Sequence, residues 1–264
     1  MLVGLIVVQI LIMFCAPAVL GLLLRKRFET KWVLFGIGAV TFIASQVVHV
    51  PLNMGLTALF AQEWMPKPPE AWYMPFNAVV LGLTAGLCEE VARYLVYRFW
   101  AREARTWRQA LMFGAGHGGI ESVITGVLVV AGMFTMTALR DMDVSELGLP
   151  SEQAALLAEQ VTEFWSTPWY MPLLAAAERL MAILLHLSLA ALVLQAFSQE
   201  RLWPLGAAIA WHAAVNAIAV YVNLTWGALA AEGTLFLLSI GSVAILWATW
   251  RADQNRMLAQ EMGT

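Results

Sequence analysis

Glu89 and Glu90, followed by Arg93, lie in a stretch otherwise apolar enough to span a membrane. An ionised side chain at bilayer depth costs from about 2.5 kcal/mol upward, so a group placed there has a partner or a task. Three of the four histidines, His117, His186 and His212, also fall inside apolar runs. Two adjacent carboxylates in a low dielectric do not both ionise readily, and a glutamate that exchanges its proton near neutral pH is a good general base for water. Imidazoles, and an amide such as Asn216, can donate hydrogen bonds to a tetrahedral oxyanion from facing helices. Alternatively, His117, His186 and His212 can hold a zinc ion beside a glutamate, with one position left open for water. Both schemes hydrolyse amide bonds. No Ser-His-Asp set and no paired intramembrane aspartates compete with them in the sequence.

The elements that position these groups follow from composition. The chain of 264 residues is 61% hydrophobic and 12% charged, which excludes an ordinary soluble domain and predicts an all-α, polytopic transmembrane bundle. There is no basic stripe of the kind that binds nucleic acid. Cys15 and Cys88 lie in separate apolar segments and fit neither a disulfide framework nor a cysteine metal site. Residues 1–264 are read as one integral membrane domain.

Apolar runs predict seven spans, at 2–24, 32–60, 75–99, 109–138, 170–197, 203–224 and 233–250, each near or above the roughly 20 residues a crossing needs. In the second, Pro51 is expected to kink or end the helix, leaving 52–64 at the interface. Arg25, Lys26, Arg27, Lys31, Arg98, Arg102, Arg105, Arg108, Arg201, Arg251 and Arg256 collect on one side, against Lys67 and Arg140 on the other. The positive-inside rule then sets the N-terminus outside and the C-terminus inside. The first span has its basic cluster after it rather than before it, so it reads as an uncleaved span. The external connection 139–168 carries an interfacial helix with Ser151 as N-cap, serving as a packing element or a lid.

Counting along the spans places Glu89, His117, His186 and His212 at roughly 13–17 Å from the cytosolic ends of four separate helices, at 1.5 Å per residue. Glu89 and Arg93, His117 and Glu121, and His212 and Asn216 are each four residues apart, so each pair shares a helical face. Gly114, Gly116, Gly118 and Gly119 around His117 predict close helix approach or a local opening. A plainer role exists for each group. A single histidine can simply bridge helices, Arg93 can neutralise either glutamate, and Asn216 can join helices. Glu178 and Arg179 read as an ion pair in the outer half, away from the layer, and His49 as an interfacial residue.

In order, Glu89-Glu90-Val91-Ala92-Arg93, Phe113 to His117 with Glu121, Glu178-Arg179 leading to His186, and His212 to Asn216 resemble the YhfC family of intramembrane metalloproteases. That family belongs to a wider group with the CAAX prenyl proteases, bacteriocin-processing enzymes, PrsW-type proteases and the gamma-secretase scaffold subunit. The group's pattern is EExxxR, FxxxH and HxxxN. Phe113/His117 and His212/Asn216 match, whereas Arg93 follows the glutamates after two residues rather than three.

In the CAAX protease branch, the resemblance implies Glu89 as the base, His117 as a water-positioning partner, and His212 with Asn216 as oxyanion donors. It implies no necessary role for His186, which a three-histidine zinc site would use. Glu90 shares the catalytic pair, and Arg93, Glu121, Glu178 and Arg179 support it. The reading is an intramembrane peptidase of a bacterial-type inner membrane, acting on a peptide or membrane-protein substrate in the cytosolic half of the lipid bilayer.

Two other classes predict different behaviour. In a non-catalytic scaffold or immunity-type protein the polar layer only packs helices, and Glu89→Gln is tolerated. In a proton or ion transporter polar groups continue to the outer surface. Glu121, Asn216 and Glu178 offer part of such a line, but no inverted repeat accompanies them.

Overall fold

The computed structural model describes residues 1–143 and 147–262, and these form an all-α bundle. Among the described residues eight α-helices follow in order: α1 (Leu2–Phe28), α2 (Trp32–Ala61), α3 (Tyr73–Phe99), α4 (Trp107–Ala138), α5 (Ser151–Ser166), α6 (Met171–Ser198), α7 (Trp203–Trp226) and α8 (Ala228–Glu261). A 3-10 turn, Glu70–Trp72, leads into α3.

Six helices, α1, α2, α4, α6, α7 and α8, are long and apolar enough to cross a membrane. Helix α3 equals α1 in length at 27 residues, but its polar and charged residues lower its hydropathy and it is not among the six. It packs along α7 and against α2, with Glu89, Glu90 and Arg93 on its buried side.

Helices α4 and α6 occupy the centre. Ala110 to Gly119 of α4 are buried without a break, as are Ser188 to Ala196 of α6. A capping box starts α4: Gln109 N–H donates to Thr106 Oγ1 at 3.4 Å, and Thr106 N–H donates to Gln109 Oε1 at 3.1 Å. The glycines around His117 serve close packing, and no local opening interrupts α4. A Cβ added at Gly116 would lie 1.9 Å from the Phe35 carbonyl oxygen of α2. One added at Gly82 of α3 would lie 2.4 Å from the Ala213 carbonyl oxygen of α7. Only a residue without a side chain lets these backbones meet.

The basic segments gather at one end of the bundle. Arg256 of α8 donates to the Arg105 carbonyl at 2.6 Å and to Ser198 Oγ at 3.2 Å, tying α8 to the α3–α4 connection and to the end of α6.

Three boundary expectations change. Helix α2 runs unbroken through Pro51 to Ala61. Across that turn the His49 and Asn53 side chains bond at 3.0 Å. Helix α5 begins at Ser151 with Pro150 as its N-cap and no side-chain cap, so Ser151 lies inside the helix. The last helix extends well beyond 233–250, from Ala228 to Glu261. Helix α5 lies against the end of α4, with Val161 buried and Trp165 Nε1–H donating to the Met136 carbonyl at 3.1 Å.

Candidate active site

Successive residues on a helix point about 100° apart, so Glu89 and Glu90 reach different neighbours. Glu90 is fully buried, with His212 Nδ1 on Oε1 at 2.8 Å and Arg93 Nη1 donating to Oε2 at 3.0 Å. Glu89 turns toward α4 and α2. His117 Nε2 is 3.0 Å from its Oε2, and Gln46 Nε2 is 3.3 Å from its Oε1. The short spacing of Arg93 therefore pairs it with Glu90, its i−3 neighbour, and Glu89 is left to face the cavity described below.

Arg93 also bridges helices. Its Nη2 donates to His186 Nδ1 at 3.2 Å, and His186 Nε2 lies 2.7 Å from Glu121 Oε2. A guanidinium only donates, so His186 Nδ1 accepts and Nε2 carries the proton shared with Glu121. Arg179 Nη1 donates to Glu121 Oε1 at 3.0 Å, and its Nη2 bonds Glu178 Oε1. Glu178 and Arg179 are thus joined to the polar layer through Glu121 rather than standing apart from it. The long Arg179 side chain spans the two helical turns that separate it from His186.

The three expected histidines meet. Ring centroids lie 4.8 Å apart for His117 and His186, and 5.4 Å apart for His186 and His212. All three are buried. A cavity of about 100 Å³ opens beside them, between α4, α6, α7 and α8. Glu89, Glu121, Glu178, Arg179, His186, His212 and Asn216 line it, whereas His117, Glu90 and Arg93 stand behind its wall. No residue of α5 lines it.

Glu89, His186 and His212 each offer one ligand atom within 4.8 Å of the other two. Two histidines and one carboxylate form a known catalytic zinc set. Each candidate ligand is held from behind, as ligands of a bound metal commonly are. Glu90 bonds Nδ1 of His212, leaving Nε2, and His117 bonds Glu89; His186 has Arg93 on Nδ1 and Glu121 on Nε2, so a metal at His186 would take the place of one of them. Among the described residues, the arginines paired with Glu90, Glu121 and Glu178 are Arg93 and Arg179, and Glu89 pairs with His117. With the carboxylates ionised and the histidines neutral, the cluster carries two negative charges, which a divalent cation would balance. The donor set fits a metal once His186 gives up its contact with Arg93 or with Glu121. His117 is not in this group: its Nε2 bonds Glu89 and its buried Nδ1 has no hydrogen-bond partner among the described residues.

One set of residues has no counterpart in the sequence reading. Gln46 joins Glu89 to His49, whose Nδ1 is 3.1 Å from Gln46 Oε1. His49 Nε2 in turn meets Asn53 Nδ2 at 3.0 Å and Thr84 Oγ1 at 3.4 Å. His49 is therefore part of a side-chain ladder that reaches Glu89. The signal was the placement of Gln46, His49 and Asn53 at i, i+3 and i+7 of an apolar helix, one polar stripe.

A polytopic helical bundle with carboxylates and histidines converging on a buried cavity defines the class as a membrane protein with an intramembrane polar site. The chain belongs to the YhfC intramembrane metalloprotease family, whose model matches residues 11–234. It is 29% identical over 238 residues to the membrane protein YhfC of Bacillus subtilis (strain 168), covering 89% of this chain and 91% of that relative. No solved structure matches it.

Proposed function

We propose that the chain acts as a single membrane domain, residues 1–264, and is an intramembrane peptidase. Its site lies in the cytosolic half of a bacterial-type inner membrane, and its substrate is a peptide or membrane-protein segment. Glu89, His186 and His212 hold zinc in this reading. The observation that carries it is the 4.8 Å grouping of those three ligand atoms, with a second partner behind each residue. Zinc held there supplies a Lewis acid that activates water near neutral pH and polarises a carbonyl.

The remaining roles fall to side chains on the cavity. Glu121 lines the cavity beside His186 with 25% of its side chain exposed, and in this reading it takes the proton of water in place of its contact with His186. Asn216, one turn after His212, lines the same cavity, and its amide can donate to the oxyanion of the tetrahedral intermediate. Arg93 and Glu90 keep His212 in one orientation, and His117 does the same for Glu89. Arg179 and Glu178 anchor Glu121.

The 3.0 Å contact between His117 and Glu89 favours a second reading, in which Glu89 itself activates water with His117 beside it. Cleavage of a single-span reporter by the purified protein in liposomes separates the two. In the zinc reading a strong chelator abolishes cleavage and added zinc restores it. Cleavage that survives complete chelation would favour the second reading.

A further inference from the structure

We propose that Gln46 is a positioning residue for Glu89, held in turn by His49. The proposal rests on Glu89 being a metal ligand, as in the reading above. Glu89 is 5% exposed and sits on α3, yet both of its oxygens are reached from other helices: Oε2 from His117 on α4 and Oε1 from Gln46 on α2. The terminal torsion of a glutamate is broad, so one contact leaves the carboxylate plane free to rotate. Two contacts on different oxygens fix it.

With Glu89 ionised, as a metal ligand is, and His49 neutral, the ladder allows only one arrangement. The carboxylate of Glu89 accepts, so the Gln46 amide must present Nε2 to it. Gln46 Oε1 then faces His49, whose Nδ1–H donates to it at 3.1 Å. His49 Nε2 is left to accept from Asn53 Nδ2 at 3.0 Å. Each donor meets an acceptor, and a reversed Gln46 amide would break two contacts at once. His49 therefore acts on Glu89 only through Gln46.

The test measures zinc affinity of the detergent-purified full chain by competition with a chromophoric chelator, with thermal unfolding as a control for fold. Gln46→Leu is expected to weaken zinc binding by about 10- to 100-fold, the cost typical of losing an outer partner of a metal ligand. His49→Ala is expected to weaken it less, and Gln46→Leu/His49→Ala no more than Gln46→Leu alone. Gln46→Met is read in the same way if the leucine disturbs α2 packing.

Unchanged affinity in folded Gln46→Leu, with Glu89→Gln losing zinc, overturns the positioning role and leaves the metal reading intact. Additive losses in the double variant overturn the His49-to-Gln46 relay. Unchanged zinc affinity in Glu89→Gln would instead defeat the metal-ligand role of Glu89, and this proposal with it.

Discussion

Arg93 Nη1 stands 3.0 Å from Glu90 Oε2, and neither side chain is exposed. The pair is a structural anchor as well as an orienting one, because Glu90 also holds His212 and Arg93 also holds His186. Removing one partner leaves an uncompensated buried charge. Arg93→Met is therefore expected to lower unfolding free energy by about 3–5 kcal/mol, measured by thermal or denaturant unfolding in micelles. The double variant Glu90→Gln/Arg93→Met should recover part of that loss, since no lone charge remains. An Arg93→Met protein as stable as the parent would show that the pair is not what holds α3 in the bundle.

Close helix approach predicts a sharp contrast within α4. Gly116→Ala drives a methyl group into the Phe35 carbonyl, and such overpacking typically costs about 1–3 kcal/mol. Gly132→Ala on the same helix meets nothing within 4 Å and should be neutral or stabilising by up to about 1 kcal/mol. Thermal midpoints of the two variants check the ranking directly.

Much of the site was legible from residue counting. Charged loops mark the helix ends, and a fixed rise per residue carries that mark to Glu89, His117, His186 and His212. What counting does not contain is helix rotation. The pairing of Glu121 with Arg179 depends on how α4 and α6 turn toward each other, so the distant position of Arg179 along α6 was misleading. The same limit kept open which glutamate Arg93 neutralises until the i−3 contact to Glu90 appeared. Gln46, His49 and Asn53 form a polar stripe along α2, but their spacing does not say which neighbouring helix the stripe faces.

The proposed orientation puts the Arg105 and Arg256 end of the bundle in the cytosol. A fluorescent protein fused after α8 should fold and fluoresce, and alkaline phosphatase fused at the same point should be inactive. The opposite pair of results would invert the bundle and move the site to the outer half of the bilayer.

Glu121 is assigned to proton transfer, and Glu89 to holding zinc. Glu121→Gln should therefore lower kcat by about 10²- to 10⁴-fold while zinc stays bound. Reporter cleavage and metal content, measured on the same preparation, check both halves. Retained cleavage in Glu121→Gln would return the role of base to Glu89.

Metal stoichiometry of the purified chain by elemental analysis tests the central claim most directly, with folded His186→Ala and His212→Ala proteins beside it. The expected result is close to one zinc per chain in the parent and little in either variant. Proteolytically active parent protein that contains no metal, or variants that retain the full complement, would contradict the assignment of Glu89, His186 and His212 as the metal centre.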